Sequence, residues 1–425
     1  MLYELWRLTV DRQRDHWAVQ DLASNRSWTF RELEAVAQSR DDVRGLLRYP
    51  QGMGVEFLLA TIRGWRQRQV VCPLDLGQAA PMHEGLPAGC VHLKTTSATT
   101  GSPRGIGFTA SQLVADVDQI VATMGLRPDW PNLGVISLAH SYGFSSLVLP
   151  LLLRGIPLIL GSSGLPEAVR RTAEKFGPVT LPAVPALWRT WHQAGAVTRS
   201  IGLAISAGAP LPLGLESALF DSAGVKIHNF YGASECGGIA YDSTEEPRQE
   251  ETCAGRPMRT VEAAIEDCGC LSVRSRAVGQ TYWPEPTASL GGGRYLTSDL
   301  AELRGGEIHL LGRAIDVINV AGRKLVPETI EHALLGYPGV RCCLVFGVPS
   351  DADSRGERVV ALLTIEGQPD IAALRRFLRD RLPTWQIPRV WGVVQSLGAN
   401  ARGKISRADW RRRYLAGDAE IRDVG

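Results

Sequence analysis

Between residues 106 and 230 the chain repeats one pattern, and that pattern constrains the fold more than any other feature. Short runs of buried-type residues are separated by helical segments of roughly 10 to 20 residues. The runs are Gly134-Val135-Ile136-Ser137-Leu138, Pro157-Leu158-Ile159-Leu160, Val179-Thr180-Leu181 and Gly202-Leu203-Ala204-Ile205-Ser206. Apolar runs this short have the length of strands rather than helices. Strands alternating with helices of that length point to parallel α/β layers.

The flanking regions differ in texture. Residues 1 to 94 mix helical patterns, such as 28–37, with β-rich runs such as 69–74. Thr29 followed three residues later by Glu32 predicts a capping box at that first helix. After about residue 250 short strands and turns dominate, through 270–273 and 307–311, and predict a small β-rich subdomain. From about 316 a compact α+β pattern follows: strand 317–320, a turn at Gly322, helix 327–335, strands 341–347 and 358–365, helix 370–381, strand 389–394 and a basic terminal helix. The expected organisation is a large N-terminal domain over 1–314, built of layered α/β subdomains plus the β-rich one. A small α+β domain over 315–425 follows it.

Composition narrows the class. At 425 residues the chain is ample for a large core, and its apolar share of 44% with 21% charged residues is that of an ordinary globular protein. A formal net charge of +2 argues neither for a nucleic-acid nor for an acidic-surface partner, and none is expected. The longest apolar stretch, 147–160, is interrupted by Pro150, Arg154-Gly155 and Pro157, so no membrane span is expected. The eight cysteines show no C-x-x-C spacing, and free thiols in a reducing cytoplasm are the expectation.

Several motifs carry chemistry, each open to a plainer reading when taken alone. Thr96-Ser97-Ala98-Thr99-Thr100-Gly101-Ser102-Pro103-Arg104-Gly105 offers hydroxyl and backbone N–H donors to phosphate oxygens, or is a solvated linker. No Walker-type G-x-x-x-x-G-K-[ST] stands there. Ser206-Ala207-Gly208-Ala209-Pro210-Leu211 is a small-residue turn against which a flat ligand could lie. Tyr231-Gly232-Ala233-Ser234-Glu235 joins a ring able to stack on a base to a carboxylate able to hold Mg²⁺. Tyr295-Leu296-Thr297-Ser298-Asp299 and Gly312-Arg313-Ala314-Ile315-Asp316 supply a carboxylate and an arginine. Asn400-Ala401-Arg402-Gly403-Lys404 sets a lysine on a glycine-hinged loop.

In order, these motifs resemble the adenylate-forming superfamily of acyl- and aryl-CoA synthetases, nonribosomal peptide adenylation domains and beetle luciferase. The family's T-S-G-T-T-G-x-P-K-G is matched by 96–105, with Ala98 for Gly and Arg104 for Lys. Its Y-G-x-T-E is matched by 231–235, its T-G-D by Thr297-Ser298-Asp299, and its G-R-x-D-D-x-I-K-x-x-G-x-R by the run from Gly312. Its terminal G-K is Gly403-Lys404. The match runs from about Trp28 to Arg407.

The resemblance implies ATP-dependent activation of a carboxylic acid to an acyl-adenylate with loss of pyrophosphate, then transfer to the thiol of CoA or of a carrier protein's phosphopantetheine. It implies that Thr96, Ser97, Thr99, Thr100 and Gly101 cradle the ATP phosphates. Gly208, Ala209, Pro210, Tyr231 and Gly232 would enclose the adenine, and Asp299 with Arg313 would bind the ribose. Ser234 and Glu235 would contact the α-phosphate and Mg²⁺. Lys404 would bridge the substrate carboxylate and the α-phosphate, and His140 would gate the thiol tunnel. The small domain would rotate about Ile315 and bring the loop at Gly322 beside the pantetheine arm.

The chain departs from the family pattern in places. The phosphate loop begins early, which implies a trimmed N-terminal subdomain. Ile315 replaces the usual polar hinge, and Gly398-Ala399-Asn400 replaces P-x-T. The segment Gly143-Phe144-Ser145-Ser146 lacks the aspartate that pairs an amino-acid ammonium, and an unpaired buried ammonium is costly. Tyr142, Phe144, Ala233, Gly237 and Gly238, with His140 and Gly208, suggest an apolar pocket for an aryl or fatty acid. An amino-acid-activating enzyme and a non-catalytic nucleotide- or acyl-binding homologue are the alternatives.

Overall fold

A computed structural model describes residues 1–39, 43–81, 85–95, 104–161, 163–350, 356–398 and 405–424. The chain divides into two compact units. The first comprises Met1–Ala264, Ser272–Thr297 and Leu303–His309, the second Ile265–Leu271, Ser298–Glu302 and Leu310–Gly425.

In chain order the first unit contains α1 (Leu2–Gln13), β1 (Trp17–Asp21), β2 (Arg26–Thr29), α2 (Phe30–Gln38), β3 (Leu47–Arg48), α3 (Val55–Arg66), β4 (Val70–Val71), β5 (His92–Thr95), β6 (Gly105–Phe108), α4 (Ala110–Met124), β7 (Asn132–Leu133), α5 (Ser141–Gly143), α6 (Leu149–Arg154), β8 (Leu158–Leu160), α7 (Pro166–Phe176), β9 (Val179–Ala183), α8 (Pro185–Gln193), β10 (Ile201–Ser206), α9 (Leu213–Ala223), β11 (Ile227–Ala233), β12 (Gly237–Tyr241) and β13 (Cys253–Pro257). The main sheet runs β13-β12-β11-β10-β9-β7-β8-β1-β2. Its centre, from β11 to β1, is parallel, and β12, β13 and β2 add antiparallel edges. Parallel α/β layering is thus present where the repeat predicts it.

One strand is displaced from its expected place. The run 134–138 is not a strand; β7 is Asn132–Leu133. Gly134 N–H still bonds Ile159 O at 2.9 Å, after which the chain leaves the sheet. Its hydrogen bonds then go sideways: Leu138 N–H donates to Met53 Sδ, and the Ser137 hydroxyl donates to Asp75 Oδ1 at 2.9 Å. Apolar content marked the segment as buried, but those lateral partners compete with the ladder.

Local signals are obeyed elsewhere. Thr29 Oγ1 accepts from Glu32 N–H and the Glu32 carboxylate accepts from Thr29 N–H at 2.7 Å, closing the capping box of α2. Burial of β9, of Trp188 and Trp191 on α8 and of Leu215 and Leu219 on α9 makes the core beneath the sheet. Each such large side chain contributes roughly 2–3 kcal/mol.

A second sheet of the first unit runs β3-β4-β5-β6 and ends on the strand Thr281–Trp283. In the second unit, strands Val340–Pro349, Glu357–Ile365 and Val390–Val393 form a sheet with helices Pro327–Leu335 and Ile371–Arg379. The latter helix is shorter than the expected 370–381: Asp370 caps it by accepting from Ala373 N–H at 2.9 Å. Among the described residues no helix is long and apolar enough to cross a membrane. All eight cysteines are free thiols.

Candidate active site

Thr96, Ser97, Thr99, Thr100, Gly101 and Lys404 lie outside the described residues. What the structure describes is the frame around them. β5 and β6 pair antiparallel with Thr95 opposite Gly105, so 96–104 connects the ends of a hairpin. On the far side of β6 the strand Thr281–Trp283 sets Tyr282 opposite Ile106.

Tyr282 ties this hairpin to Glu235. Its hydroxyl donates to Glu235 Oε1 at 3.0 Å, and the Arg104 guanidinium lies 6.0 Å from its ring centre. Tyr295 shares a side-chain hydrogen bond with Tyr282. Burial first, and then the Glu235 charge, push both phenols well above their usual range, so they remain protonated donors. Glu235 O accepts from Gly279 N–H at 2.7 Å, which pins the residue's backbone as well. Tyr231, Gly232 and Ala233 end β11, and Ser234 lies in the turn before β12.

Of the residues expected to line an apolar pocket, Tyr142 is half-buried, whereas Phe144 belongs to the core. Tyr142 stands 5.8 Å from Phe230 between ring centres, and its hydroxyl donates to Ile205 O at 3.4 Å. Burial raises that phenol well above its normal range. Phe144, 1% exposed, packs 4.3 Å from His92 and 6.4 Å from Phe57. Burial, then the Lys94 charge, hold His92 well below its usual range, so this ring is neutral.

Behind Gly237 and Gly238 lies a buried ion pair. Lys94 Nζ is 3.6 Å from Asp116 Oδ2 and 3.2 Å from Ser145 Oγ, and Ser145 donates to Asp116 Oδ2 at 2.6 Å. Gln119 Nε2 donates to Gly238 O at 2.9 Å. Gly237 has φ +69°, and a Cβ there would collide with the Asp116 carboxylate. Only glycine meets both demands.

His140 is oriented by Asp75, its Nε2 being 3.1 Å from Asp75 Oδ2. Ser137 occupies the other oxygen of that carboxylate. From the same segment Gln78 Nε2 donates to Thr95 Oγ1 at 3.1 Å, at the foot of the hairpin. Gly208, Ala209 and Pro210 follow β10 in a turn where Gly208 takes φ +87°. That turn is held from below: Arg248 Nη2 donates to Leu211 O at 2.7 Å and Nε to Glu216 Oε2 at 2.9 Å. Lys226 bridges Glu216 and Asp242 in the same buried cluster.

In the second unit Arg313 Nε donates to Asp299 Oδ1 at 3.2 Å, so these two expected partners are together. Ile315 is 64% exposed in a single turn of 3₁₀ helix. Gly322, φ +84°, closes the hairpin of Ile318–Val320 with Arg323–Leu325 and donates its N–H to Asn319 Oδ1 at 2.9 Å. Arg407, three residues beyond Lys404, binds Asp316, Glu328 and Glu331.

Comparison with known proteins decides the family. The model of the AMP-binding enzymes matches residues 72–288, and that of their C-terminal domain matches 329–404. The chain belongs to the AMP-binding enzymes. It is an adenylate-forming enzyme of the AMP-forming acid–CoA ligase kind. A Mycobacterium tuberculosis protein named "Probable 2-succinylbenzoate--CoA ligase" is 30% identical over 345 residues, 77% of this chain and 85% of that one. A feruloyl-CoA synthase of an Amycolatopsis species is 28% identical over 351 residues, 78% and 71% of the two chains. The fold matches that of ATP-bound MatB from Rhodopseudomonas palustris with a TM-score of 0.86 at 20% identity, covering 97% of this chain and 99% of that one.

Sequence reasoning passed over Asp75, Gln78, Lys94, Asp116, Tyr282 and Arg407. Arg407 alone carried a signal, standing next to the G-K motif. The others are paired with residues tens of positions away, and no local spacing reveals them.

Proposed function

We infer that this AMP-binding enzyme converts an aryl or fatty carboxylic acid, an aryl acid above all, to its acyl-adenylate and then to a thioester of CoA or of a carrier-protein pantetheine. The observation that carries this is Glu235 held by Tyr282 beside the hairpin that bears 96–103. Glu235 accepts from the Tyr282 hydroxyl, and its carboxylate is a hard-oxygen ligand of the kind that Mg²⁺ takes. Mg²⁺ fits there and would neutralise phosphate charge.

The chemical demand is specific. A carboxylate attacking the α-phosphorus brings two anions together, so positive charge must be fixed in advance where negative charge grows. Lys404 supplies it, with Ser234 donating to the α-phosphate. Thr96, Ser97, Thr99, Thr100 and Gly101 hold the β- and γ-phosphates, which leave as pyrophosphate. Tyr231 and the turn Gly208-Ala209-Pro210 enclose the adenine, and Asp299 with Arg313 takes the ribose hydroxyls. The small domain, beginning near Ile315, alternates between the two half-reactions, and His140, oriented by Asp75, sits at the thiol entrance.

An aryl acid is favoured by the Tyr142 ring and by the aromatic acids in the two relatives' names. Asp116, the carboxylate behind the wall, is already paired with Lys94, which counts against an amino-acid ammonium. Carboxylate-dependent exchange of labelled pyrophosphate into ATP tests this across aryl, fatty and amino acids. Exchange with amino acids alone, or with none, overturns it. Lys404→Ala should lose exchange yet still convert supplied acyl-AMP to thioester, and equal loss of both steps removes the role given to Lys404.

A further inference from the structure

Cys253 and His309 face each other across the antiparallel pair of β13 and the strand Glu307–Arg313. Glu307 lies two residues from His309, so strand alternation puts it on the same face. One ligand atom from each, thiol sulfur, carboxylate oxygen and ring nitrogen, lie within 4.8 Å of one another. Cys253 Sγ is 3.8 Å from Glu307 Oε2. Cys253 and His309 are buried, and Glu307 is half-buried.

We propose that Cys253, Glu307 and His309 form a binding site for a divalent transition metal, zinc above all, separate from the ATP site. Zinc bonds of about 2.0–2.3 Å put tetrahedral ligand atoms roughly 3.3–3.8 Å apart. From a separation of 4.8 Å at most, the three atoms therefore need to close by about 1.5 Å or less. A sulfur, a nitrogen and an oxygen suit a borderline-soft ion and discriminate against Mg²⁺ and Ca²⁺. Water would complete the four-coordinate shell. On binding, the Cys253 thiol gives up its proton to solvent and the thiolate forms the bond to the metal.

Arg304 controls access to this site. Its Nη2 lies 2.8 Å from His309 Nδ1, with Thr252 Oγ1 at 3.2 Å and Glu250 Oε2 at 3.5 Å from the same nitrogen. A guanidinium donating to Nδ1 occupies that lone pair and leaves the proton on Nε2, so neither nitrogen is ready to bind metal. Arg304 must release the ring, and Glu250, 2.8 Å from the same Nη2, is there to keep it. The consequence reaches the nucleotide strand. The Cys253 carbonyl accepts from Arg248 Nη1 at 2.7 Å and from Asn229 Nδ2 at 3.2 Å, and Asn229 lies two residues before Tyr231.

The test titrates Co²⁺ into the chelator-stripped full-length protein. Saturable binding with a thiolate-to-cobalt charge-transfer band is expected, displaced by Zn²⁺. Cys253→Ser should abolish the band, Glu307→Gln should weaken binding about tenfold or more, and Arg304→Gln should tighten it several-fold. Cys268→Ser should leave it unchanged. Absence of saturable binding, or a band that survives in Cys253→Ser, overturns the proposal. Should Cys253→Ser fail to fold, Glu307→Gln and Arg304→Gln decide: unaltered affinity in both overturns it equally.

Discussion

Arg407→Ala removes the cation at the centre of three carboxylates in the second unit. Arg407 Nη1 lies 2.6 Å from Asp316 Oδ2 and 3.0 Å from Glu328 Oε1, and Nη2 lies 2.8 Å from Glu331 Oε1. Its Nε also donates to Val345 O at 2.8 Å. The arginine side chain is 15% exposed and the carboxylates 13% to 22%. Removing one partner of a buried pair costs about 3–5 kcal/mol, because the remaining charges stay desolvated and unpaired. Residual water access here puts the expectation near the lower end, about 3 kcal/mol. The measurement is hydrogen exchange of the amides of Glu357–Ile365, the strand paired throughout with Val340–Pro349. The loss should also depend on pH. Burial already raises Glu328, with Arg407 opposing that rise, so the variant raises it further. An acid whose folded pKa lies above its unfolded value gains stability on protonation. The penalty should therefore be full near neutral pH and shrink as pH falls towards the raised value. A loss below about 1 kcal/mol, or one that does not change with pH, refutes the account of this cluster.

Three further outcomes follow from particular contacts. Thr29→Ala should cost about 1 kcal/mol in denaturant unfolding, and Glu32→Ala should be less than additive with it, since each serves the same capping box. Tyr282→Phe removes one hydrogen bond to the Glu235 carboxylate, worth about 1.5–3 kcal/mol, so pyrophosphate exchange should fall roughly ten- to hundredfold. Unchanged exchange would show that Glu235 does not rely on the phenol. With a thiol reagent near pH 8, exposed Cys268 should label first. Burial pushes Cys72 up to about 12 and Cys236 well above its usual range, so both should label only on unfolding, and equal rates for the three would contradict this.

Much of the fold was legible because its signals are local. Strand-length apolar runs, the Thr29–Glu32 spacing and a turn at Gly322 after a short strand each act over a few residues, and the chain obeys them. The failure at 134–138 is instructive for the same reason. Composition reports burial, but not whether a backbone donor finds a neighbouring strand or, as at Leu138, the sulfur of Met53. Two equally buried segments can therefore differ in structure through partners far away in the chain.

The candidate site shows the same division more sharply. Its motif residues are readable because small side chains and glycines are needed where backbone approaches a ligand or another chain segment. The residues that orient them are not. Asp75 reaches His140, Lys94 reaches Asp116, and Tyr282 reaches Glu235 across separations that only the paired sheets bring together. Lys94 is the clearest case. A lysine in the run His92-Leu93-Lys94-Thr95 reads as a solvated end of a strand, yet it is 3% exposed and neutralised by Asp116 beneath Gly238. Burying that pair is costly unless both members are satisfied, and here Ser145 and the Gly238 N–H complete Asp116. The two glycines behind Glu235 are thus set by a charge pair that no reading of their own motif contains.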